Sequence, residues 1–335
     1  MSQDLNAYRV GVIGDGSWGT AIMKMLSENL EKINWWVKDD SVKQYIETHS
    51  HSPKHLSSIK FNLNQLNITA DINELVNQSD IIIFVVPSVY IKSCLDKLTV
   101  SLENKICFSA VKGIIPEKLL TVIEYLNQEY NVPFENLGNI MGPCHAEEVA
   151  LQRLSYLTIS AYDIEKAKQI QQYLNCGYIK TTHSNDVMGT EYASLLKNIY
   201  AIACGISHGL RYGDNYQAVL ISNCARQTEY FLTKLIPIEN RQINNSVYLG
   251  DLLVTGYSNF SRNRTLGNMI GKGYTVRSAM MEMSMVTEGY YATKGIYHLI
   301  KKYNLNMPIC ETIYKILYED GDANGLFKKL SASLS

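Results

Sequence analysis

A lysine lies inside a segment that otherwise has the pattern of a buried helix. The run LLKNI at 195–199 places Lys197 and Asn198 among apolar residues that continue at helical spacing on both sides. Lysine is rarely buried, and loss of hydration lowers its pKa toward the range in which it can transfer protons. Lys197 is therefore a candidate acid or base. The alternative is a lysine at the edge of the helix whose ammonium group reaches water.

A second stretch combines a carboxylate, hydroxyl groups and guanidinium groups. Residues 250–264 contain Asp251, Thr255, Ser261 and Arg262 in a setting rich in Gly, Ser and Asn. A guanidinium group matches two oxygens of a phosphate, so these residues indicate a site for a phosphorylated ligand. The alternative is a charged loop on the protein surface.

The glycine-rich run GDGSWG occupies positions 14–19, between a short apolar run and an amphipathic segment. In the GxGxxG pattern, Gly14 allows a tight turn, Gly16 lets the backbone approach a pyrophosphate, and Gly19 permits close helix packing. The following helix offers N–H groups to phosphates. We interpret the run as a dinucleotide-binding turn rather than as a turn without a ligand.

The segment after the second predicted strand bears on the choice of dinucleotide. NAD-selective folds usually place Asp or Glu at the end of this strand, whereas here the strand is followed by Lys38. A cation at this position could pair with a 2′-phosphate, which favours NADP. An ordinary solvated lysine is an equal alternative, so NAD and NADP both remain open.

Two further turns follow predicted strands, where open α/β sheets bind ligands. One is VKG at 111–113, which contains Lys112. The other is GPCHAEE at 142–148, which has the form of a turn into the N-terminus of a helix.

The elements that must position these residues change character along the chain. Apolar runs alternate with helical segments in the first half, which predicts a mostly parallel, doubly wound sheet. Helical patterns alone dominate the second half. We therefore predict a Rossmann-like α/β domain at 1–183 that binds a dinucleotide, followed by an all-α substrate-binding domain at 184–335. The predicted strands lie at 9–13, 33–37, 81–86, 106–111, 140–141, 157–160 and 178–181, and the later helices start near 187 and cover 217–235, 276–285, 289–303 and 310–318.

Composition excludes several other classes of protein. The 335 residues carry 31 Lys and Arg against 32 Asp and Glu, which argues against a nucleic-acid partner, and 46% hydrophobic residues indicate a globular core. The densest apolar run, at 81–86, is too short to span a membrane, and we expect no signal peptide. Seven cysteines without a CxxC pair suit free thiols in a reducing compartment, so we expect a cytoplasmic protein. We expect no metal site, although His49, His51 and His55 lie close together.

Taken together, the motifs resemble those of the NAD(P)-dependent glycerol-3-phosphate dehydrogenases of the soluble bacterial type. The similarity extends over nearly the whole chain and keeps the order of the family's motifs. They are GDGSWGTA at 14–21, VPS at 86–88, VKGI at 111–114, GP at 142–143 with AEE at 146–148, LKNI at 196–199, GDL at 250–252, SRNR at 261–264 and VTEG at 286–289.

The resemblance implies reversible hydride transfer between NAD(P)H and dihydroxyacetone phosphate, which yields sn-glycerol 3-phosphate for phospholipid synthesis. It implies that Lys197 is the catalytic acid and base and contacts the substrate. It also implies a homodimer. The other substrate contacts implied are Lys112, Gly142, Cys144, Asp251, Ser261, Arg262 and Asn263. The implied cofactor contacts are Gly14, Gly16, Ser17, Trp18, Gly19, Lys38, Lys112, Ala146, Arg262, Val286 and Glu288.

One departure from the family pattern falls in the turn at 142–148. The family usually continues Gly-Pro with Ser or Thr and then Phe, whereas this chain has Cys144 and His145. A thiol is a weaker hydrogen-bonding group than a hydroxyl. We interpret His145 as a structural residue rather than a base, since Lys197 already fills that role.

Two other functions are compatible with parts of the pattern. One is a related two-domain dehydrogenase that acts on a hydroxyacid. The other is a nucleotide-binding sensor without catalysis, which would have no need of Lys197. We further expect a small basic pocket formed by Lys112, Lys197, Arg262 and Arg264, with Asp251 and Glu288 beside them.

Overall fold

The computed structural model describes residues 8–335, which form two compact units. One unit contains the chain up to Val111 together with Val122–Val187, and the other contains Lys112–Thr121 and Met188–Ser335. The predicted single division between residues 183 and 184 lies close to the last boundary between the units, but the segment 112–121, predicted in the first domain, packs with the second unit. The first seven residues, part of the segment in which no signal peptide is expected, lie outside the described residues.

Eight strands of the first unit form one sheet. Its strand order is β10-β9-β8-β5-β4-β1-β2-β3. Successive strands are therefore added on one side of β1 as far as β3 and then on its other side from β4 onward. In chain order the strands of the protein are β1 (Val10–Ile13), β2 (Ile33–Trp36), β3 (Leu66–Thr69), β4 (Ile81–Phe84), β5 (Ile106–Ser109), β6 (Ile114–Ile115), β7 (Leu120–Thr121), β8 (Leu137–Met141), β9 (Ser155–Ala161) and β10 (Ile179–Ser184).

The prediction of a mostly parallel, doubly wound sheet is confirmed, with one difference in direction. Strands β1 to β5 and β8 pair in parallel, whereas β9 pairs antiparallel with β8 and parallel with β10. The central strands β1 and β4 are buried throughout, as strands covered on both faces must be. Strand β3 was not predicted, although its four residues, LNIT, alternate between apolar and polar as a half-buried strand does.

Seven helices accompany this sheet. Aspartates begin several of them: the side chains of Asp39, Asp71 and Asp163 accept hydrogen bonds from N–H groups in the first turn of their helices. The helices are α1 (Ser17–Ser27), α2 (Asp40–His49), α3 (Ile72–Gln78), α4 (Ser88–Leu95), α5 (Val122–Tyr130), α6 (Ala146–Ala150) and α7 (Ile164–Leu174).

The second unit is helical apart from the short hairpin of β6 and β7. Its helices are α8 (Val187–Gly209), α9 (Asp214–Leu235), α10 (Asp251–Tyr257), α11 (Arg262–Gly271), α12 (Val276–Glu282), α13 (Glu288–Lys302), α14 (Pro308–Tyr318) and α15 (Ala323–Ser331). The helices expected from sequence are confirmed, whereas α10, α11 and α15 were not foreseen. Within residues 8–335, every helix falls short of the length and apolarity that a membrane-spanning helix needs.

Helices α8 and α11 approach each other closely. A methyl group added at Gly267 of α11 would come within 2.1 Å of the Ile202 carbonyl oxygen on α8. The absence of a side chain at Gly267 therefore lets the two backbones touch and fixes the offset between the helices. Because Lys197 lies on α8 and Arg262 begins α11, this contact sets the relative positions of two predicted site residues.

Candidate active site

The centre of the second unit contains a buried carboxylate that two lysines share. Lys197 Nζ donates to Asp251 Oδ1 at 2.6 Å, and Lys112 Nζ donates to Asp251 Oδ2 at 3.1 Å. Lys197 also donates to Thr255 Oγ1 at 2.9 Å. The Thr255 hydroxyl in turn donates to the Asp251 carbonyl oxygen at 2.6 Å, one turn back in α10. Two predicted cations and the predicted carboxylate are thus brought together.

Burial and charge act in opposite directions on this cluster. Burial lowers the pKa of Lys197 to about 7, with the nearby Lys112 ammonium adding to the decrease and Asp251 opposing it. Burial alone would raise the pKa of Asp251, but the charges of Lys112 and Lys197 outweigh it and hold that pKa below its ordinary value. A lysine beside a carboxylate that stays ionised can therefore gain and lose its proton near neutral pH.

Two amides connect this cluster to the N-terminus of α13. Asn198 Nδ2 donates to the Lys112 carbonyl oxygen at 2.7 Å, and Asn263 Oδ1 accepts from the Gly289 N–H at 2.9 Å. A methyl group added at Gly289 would lie 2.6 Å from the Asn198 carbonyl oxygen. Helices α8, α11 and α13 therefore meet around Gly289. No role was predicted for Asn198, although an amide inside an apolar helix is a local signal for one.

The remaining predicted residues of the second unit lie around the start of α11. The Ser261 hydroxyl accepts from the Arg264 N–H at 3.3 Å and so begins the helix. Arg262 is exposed and its Nη1 donates to the Val286 carbonyl oxygen at 3.0 Å, two residues before Glu288. Arg264 Nη1 donates to Asn259 Oδ1 at 3.1 Å. Of the four cations expected in a basic pocket, Lys112 and Lys197 share the Asp251 carboxylate.

The glycine turn of the first unit has the geometry that its sequence predicts. Gly14 has a φ of +135°, which favours glycine, and a methyl group at Gly19 would lie 2.3 Å from the Gly14 carbonyl oxygen. A methyl group at Gly16 would meet nothing within 4 Å. The turn is therefore closed on the protein side at Gly19 and open at Gly16, where a pyrophosphate can approach the backbone.

The side chains after this turn extend the same surface. Ser17 Oγ lies 3.2 Å from His55 Nδ1, which places one of the three clustered histidines beside the turn. Trp18 Nε1 finds no hydrogen-bond partner within the described residues. Lys38 is exposed, and its Nζ lies 3.7 Å from Asp39 Oδ2. The open backbone at Gly16 suits a ligand rich in oxygen acceptors.

The turn between β8 and α6 holds the other predicted residues of the first unit. Gly142 has a φ of +126°, and a methyl group there would come within 2.9 Å of the Tyr156 carbonyl oxygen. Cys144 is buried, and Ala146 begins α6. Glycine is thus required at 142 by conformation and by the close approach of β9.

The described residues offer no cluster suited to a metal ion. Within residues 8–335, no group of three or more His, Cys, Asp and Glu side chains has the arrangement of a metal site. The seven cysteines are all free thiols, and six of them are buried.

A Rossmann-type sheet with an open glycine turn, together with a helical unit that holds a buried lysine–carboxylate pair, defines the class of two-unit proteins with a dinucleotide-binding fold. The models of the N-terminal and C-terminal parts of NAD-dependent glycerol-3-phosphate dehydrogenase match residues 9–167 and 186–328. This chain belongs to that family, and the resemblance stated from its motifs is confirmed.

Individual relatives agree with the family models. The glycerol-3-phosphate dehydrogenase [NAD(P)+] of Macrococcus caseolyticus is 33% identical over 324 residues, which cover 96% of this chain and 97% of the relative. The enzyme of the same name from Bacillus subtilis is 34% identical over 317 residues, 92% of this chain and 90% of the relative. The crystal structure of glycerol-3-phosphate dehydrogenase from Coxiella burnetii matches with a TM-score of 0.87 at 25% identity, over 96% of this chain and 98% of that one.

Proposed function

We propose that this protein is an NAD(P)-dependent sn-glycerol-3-phosphate dehydrogenase that reduces dihydroxyacetone phosphate reversibly. The observation that carries the proposal is the buried Lys197 that donates to Asp251 at 2.6 Å, in a chain that belongs to the family. A sensor without catalysis would gain nothing from this arrangement, since burying Lys197 and Asp251 is costly.

The first unit is proposed to hold the dinucleotide. Gly14, Gly16 and Gly19 shape the turn for the pyrophosphate, and Ser17 and Trp18, which follow it, are proposed to contact the cofactor. Lys38 follows β2, where a 2′-phosphate would be recognised in this fold. Ala146 begins a helix after the Gly142 turn. When bound, the reduced nicotinamide supplies the hydride.

Lys197 is proposed to move the proton that accompanies hydride transfer. Reduction of a ketone places negative charge on its oxygen, and the Lys197 ammonium can stabilise that charge and deliver a proton to the same oxygen. In the reverse direction, neutral Lys197 removes the proton from the hydroxyl group. Asp251 holds Lys197 in place and keeps its charge available, while Lys112, on the other carboxylate oxygen, is proposed to contact the substrate.

The start of α11 is proposed to hold the phosphate of the substrate. Arg262 offers a planar pair of donors, and Ser261 lies one residue before it. The Asn263 amide is oriented by its bond to the Gly289 N–H, which occupies Oδ1 and leaves Nδ2 as the donor for an anion. Val286 and Glu288 are proposed to contact the cofactor, and Arg262, which donates to Val286, is proposed to contact both ligands.

The assay that tests this function follows the absorbance of reduced nicotinamide after addition of dihydroxyacetone phosphate. We expect consumption of NADH or NADPH that depends on both substrates, with a hydroxyacid precursor such as a 2-oxo acid as the negative control. Absence of turnover with dihydroxyacetone phosphate and either cofactor, in protein that binds the cofactor, would overturn the proposal.

The metabolic role, the cellular location and the oligomeric state are also proposed here. The product suits phospholipid synthesis, and a cytoplasmic location fits the free cysteines. A homodimer is supported by exposed apolar side chains on the helical unit, including Leu253, Tyr257 and Phe260. Light scattering coupled to size-exclusion chromatography tests the dimer, and a monomer at micromolar concentration would contradict it.

A further inference from the structure

The carbonyl group at the start of the glycine turn is held by a side chain of the neighbouring strand. Trp35 is completely buried in β2, and its indole Nε1 donates to the Gly14 carbonyl oxygen at 2.9 Å. The Trp35 ring also packs edge-on against Phe61, with ring centroids 5.3 Å apart. The indole is therefore fixed in place by packing and bonded to the first residue of the turn.

The next residue of β2 makes a similar bond elsewhere. Trp36 Nε1 donates to the Ala70 carbonyl oxygen at 3.0 Å, just after β3. Both tryptophans thus use an indole N–H to satisfy a main-chain oxygen, but Trp35 alone of this pair does so at the glycine turn. This difference supplies an internal control for any effect of Trp35.

The bond to Gly14 controls the direction of the turn because the peptide unit is planar. In a trans peptide, the Gly14 C=O and the Asp15 N–H point in opposite directions. Gly14, at a φ of +135°, is a residue whose peptide could otherwise rotate with little steric resistance. The Gly14 carbonyl oxygen also packs against Gly19: a methyl group added at Gly19 would lie only 2.3 Å from this oxygen. Fixing this oxygen therefore fixes the direction of the Asp15 N–H, the first N–H of the turn after Gly14.

We propose that Trp35 is a positioning residue of the dinucleotide site, which holds the Gly14 peptide so that the N–H groups of the turn face the cofactor pyrophosphate. The inference rests on the proposed function of the first unit. Loss of the indole donor leaves the Gly14 oxygen without this partner and allows its peptide to reorient, which weakens pyrophosphate binding without touching the groups that transfer the proton.

The test compares Trp35→Phe with Trp36→Phe in the full-length protein. We expect Trp35→Phe to raise the dissociation constants for NADH, NADPH and ADP-ribose by about five- to tenfold, the effect of one lost buried hydrogen bond. KM for the nicotinamide cofactor should rise similarly while kcat stays close to that of the parent. Both variants should lower the melting temperature to a similar extent, since each loses an indole ring and its hydrogen bond. Trp36→Phe, however, should leave cofactor affinity within about twofold of that of the parent.

A second replacement separates the hydrogen bond from packing. Incorporation of benzothienylalanine at position 35 keeps the size and shape of the indole but replaces the N–H with sulfur. It should reproduce the weakened binding of Trp35→Phe with a melting temperature near that of the parent protein.

Equal cofactor affinity in the parent and in the benzothienylalanine protein would overturn the inference, as would equal losses in the Trp35→Phe and Trp36→Phe variants. These outcomes are distinct from failure of the proposed function, because in that case the parent protein itself would not bind the dinucleotides or turn over.

Discussion

The glycine turn and the lysine–carboxylate cluster are built in opposite ways. The turn uses consecutive backbone groups, from Gly14 to Gly19, and its shape depends on the absence of side chains. The cluster uses the side chains of Lys112, Lys197 and Asp251, which are far apart in sequence; Lys197 and Asp251 are buried and Lys112 is partly exposed. The glycine turn should therefore tolerate replacement of its polar side chains. The lysine–carboxylate cluster should lose most of its activity when a single side chain is truncated.

The largest expected effect is at Lys197. Lys197→Ala should lower kcat by about 10²–10⁴-fold, because general acid–base help of this kind is lost, while cofactor binding stays within a few-fold. Initial rates and equilibrium titration with NADH measure the two effects. The control is Lys301→Ala, which removes an exposed lysine of α13. Turnover close to that of the parent would remove Lys197 from its proposed role.

The next effect concerns the phosphate. Arg262→Ala should raise KM for dihydroxyacetone phosphate by about tens of fold, since a charge-assisted contact is lost. The loss should be smaller for a ketone that lacks the phosphate, which distinguishes an anion contact from general damage. A KM equal to that of the parent would place the phosphate elsewhere.

The pH dependence follows from the pKa of about 7 for Lys197. Reduction needs the protonated lysine, so kcat for dihydroxyacetone phosphate should fall above about pH 7, approaching about tenfold per pH unit. Oxidation of sn-glycerol 3-phosphate needs the neutral lysine and should rise over the same range. Asp251→Asn should move the limb to lower pH, because it removes the charge that favours the ammonium. Profiles that stay flat from pH 6 to 9 in both directions would contradict the assignment.

The smallest expected effect is at Lys38. If this exposed side chain pairs with a 2′-phosphate, Lys38→Ala should raise KM for NADPH by about three- to tenfold and leave KM for NADH unchanged. Side-by-side initial rates with the two cofactors measure it. Equal changes for NADH and NADPH, or none, would make Lys38 an ordinary surface lysine.

The sequence predicts the two regions with unequal success for a physical reason. The glycine turn and its strand–turn–helix setting are local, so GDGSWG together with the apolar runs was enough. The bond from Trp35 to Gly14 joins β2 to the turn after β1 and has no local signature. Likewise, the residues of β9 have the pattern of a strand, but that pattern does not indicate that the strand runs antiparallel to β8.

The helices around the lysine cluster show the same limit. The stretch 250–264 is rich in Gly, Ser and Asn and has the composition of a loop, yet α10 and α11 form there. The ion pairs of Asp251 with Lys112 and Lys197 and the close contact of Gly267 with α8 hold them in place, and both depend on residues distant in sequence. Lys197 was recognised from its own sequence neighbours, as a lysine in an apolar helix. Asp251 was noted as a carboxylate near guanidinium groups, its role as a substrate contact came from the family resemblance, and its pairing with the lysines is visible only in the structure.

The segment Lys112–Thr121 has a consequence for how the molecule can be divided. It leaves the first unit after Val111, packs with the second and returns at Val122, so the polypeptide passes between the units three times. A fragment that begins at residue 184 would lack Lys112 and the hairpin, and its Asp251 would face Lys197 with one cation missing. The two units are therefore not independent modules of the chain. The second unit can complete its fold only when the segment 112–121, from the first half of the sequence, packs with it.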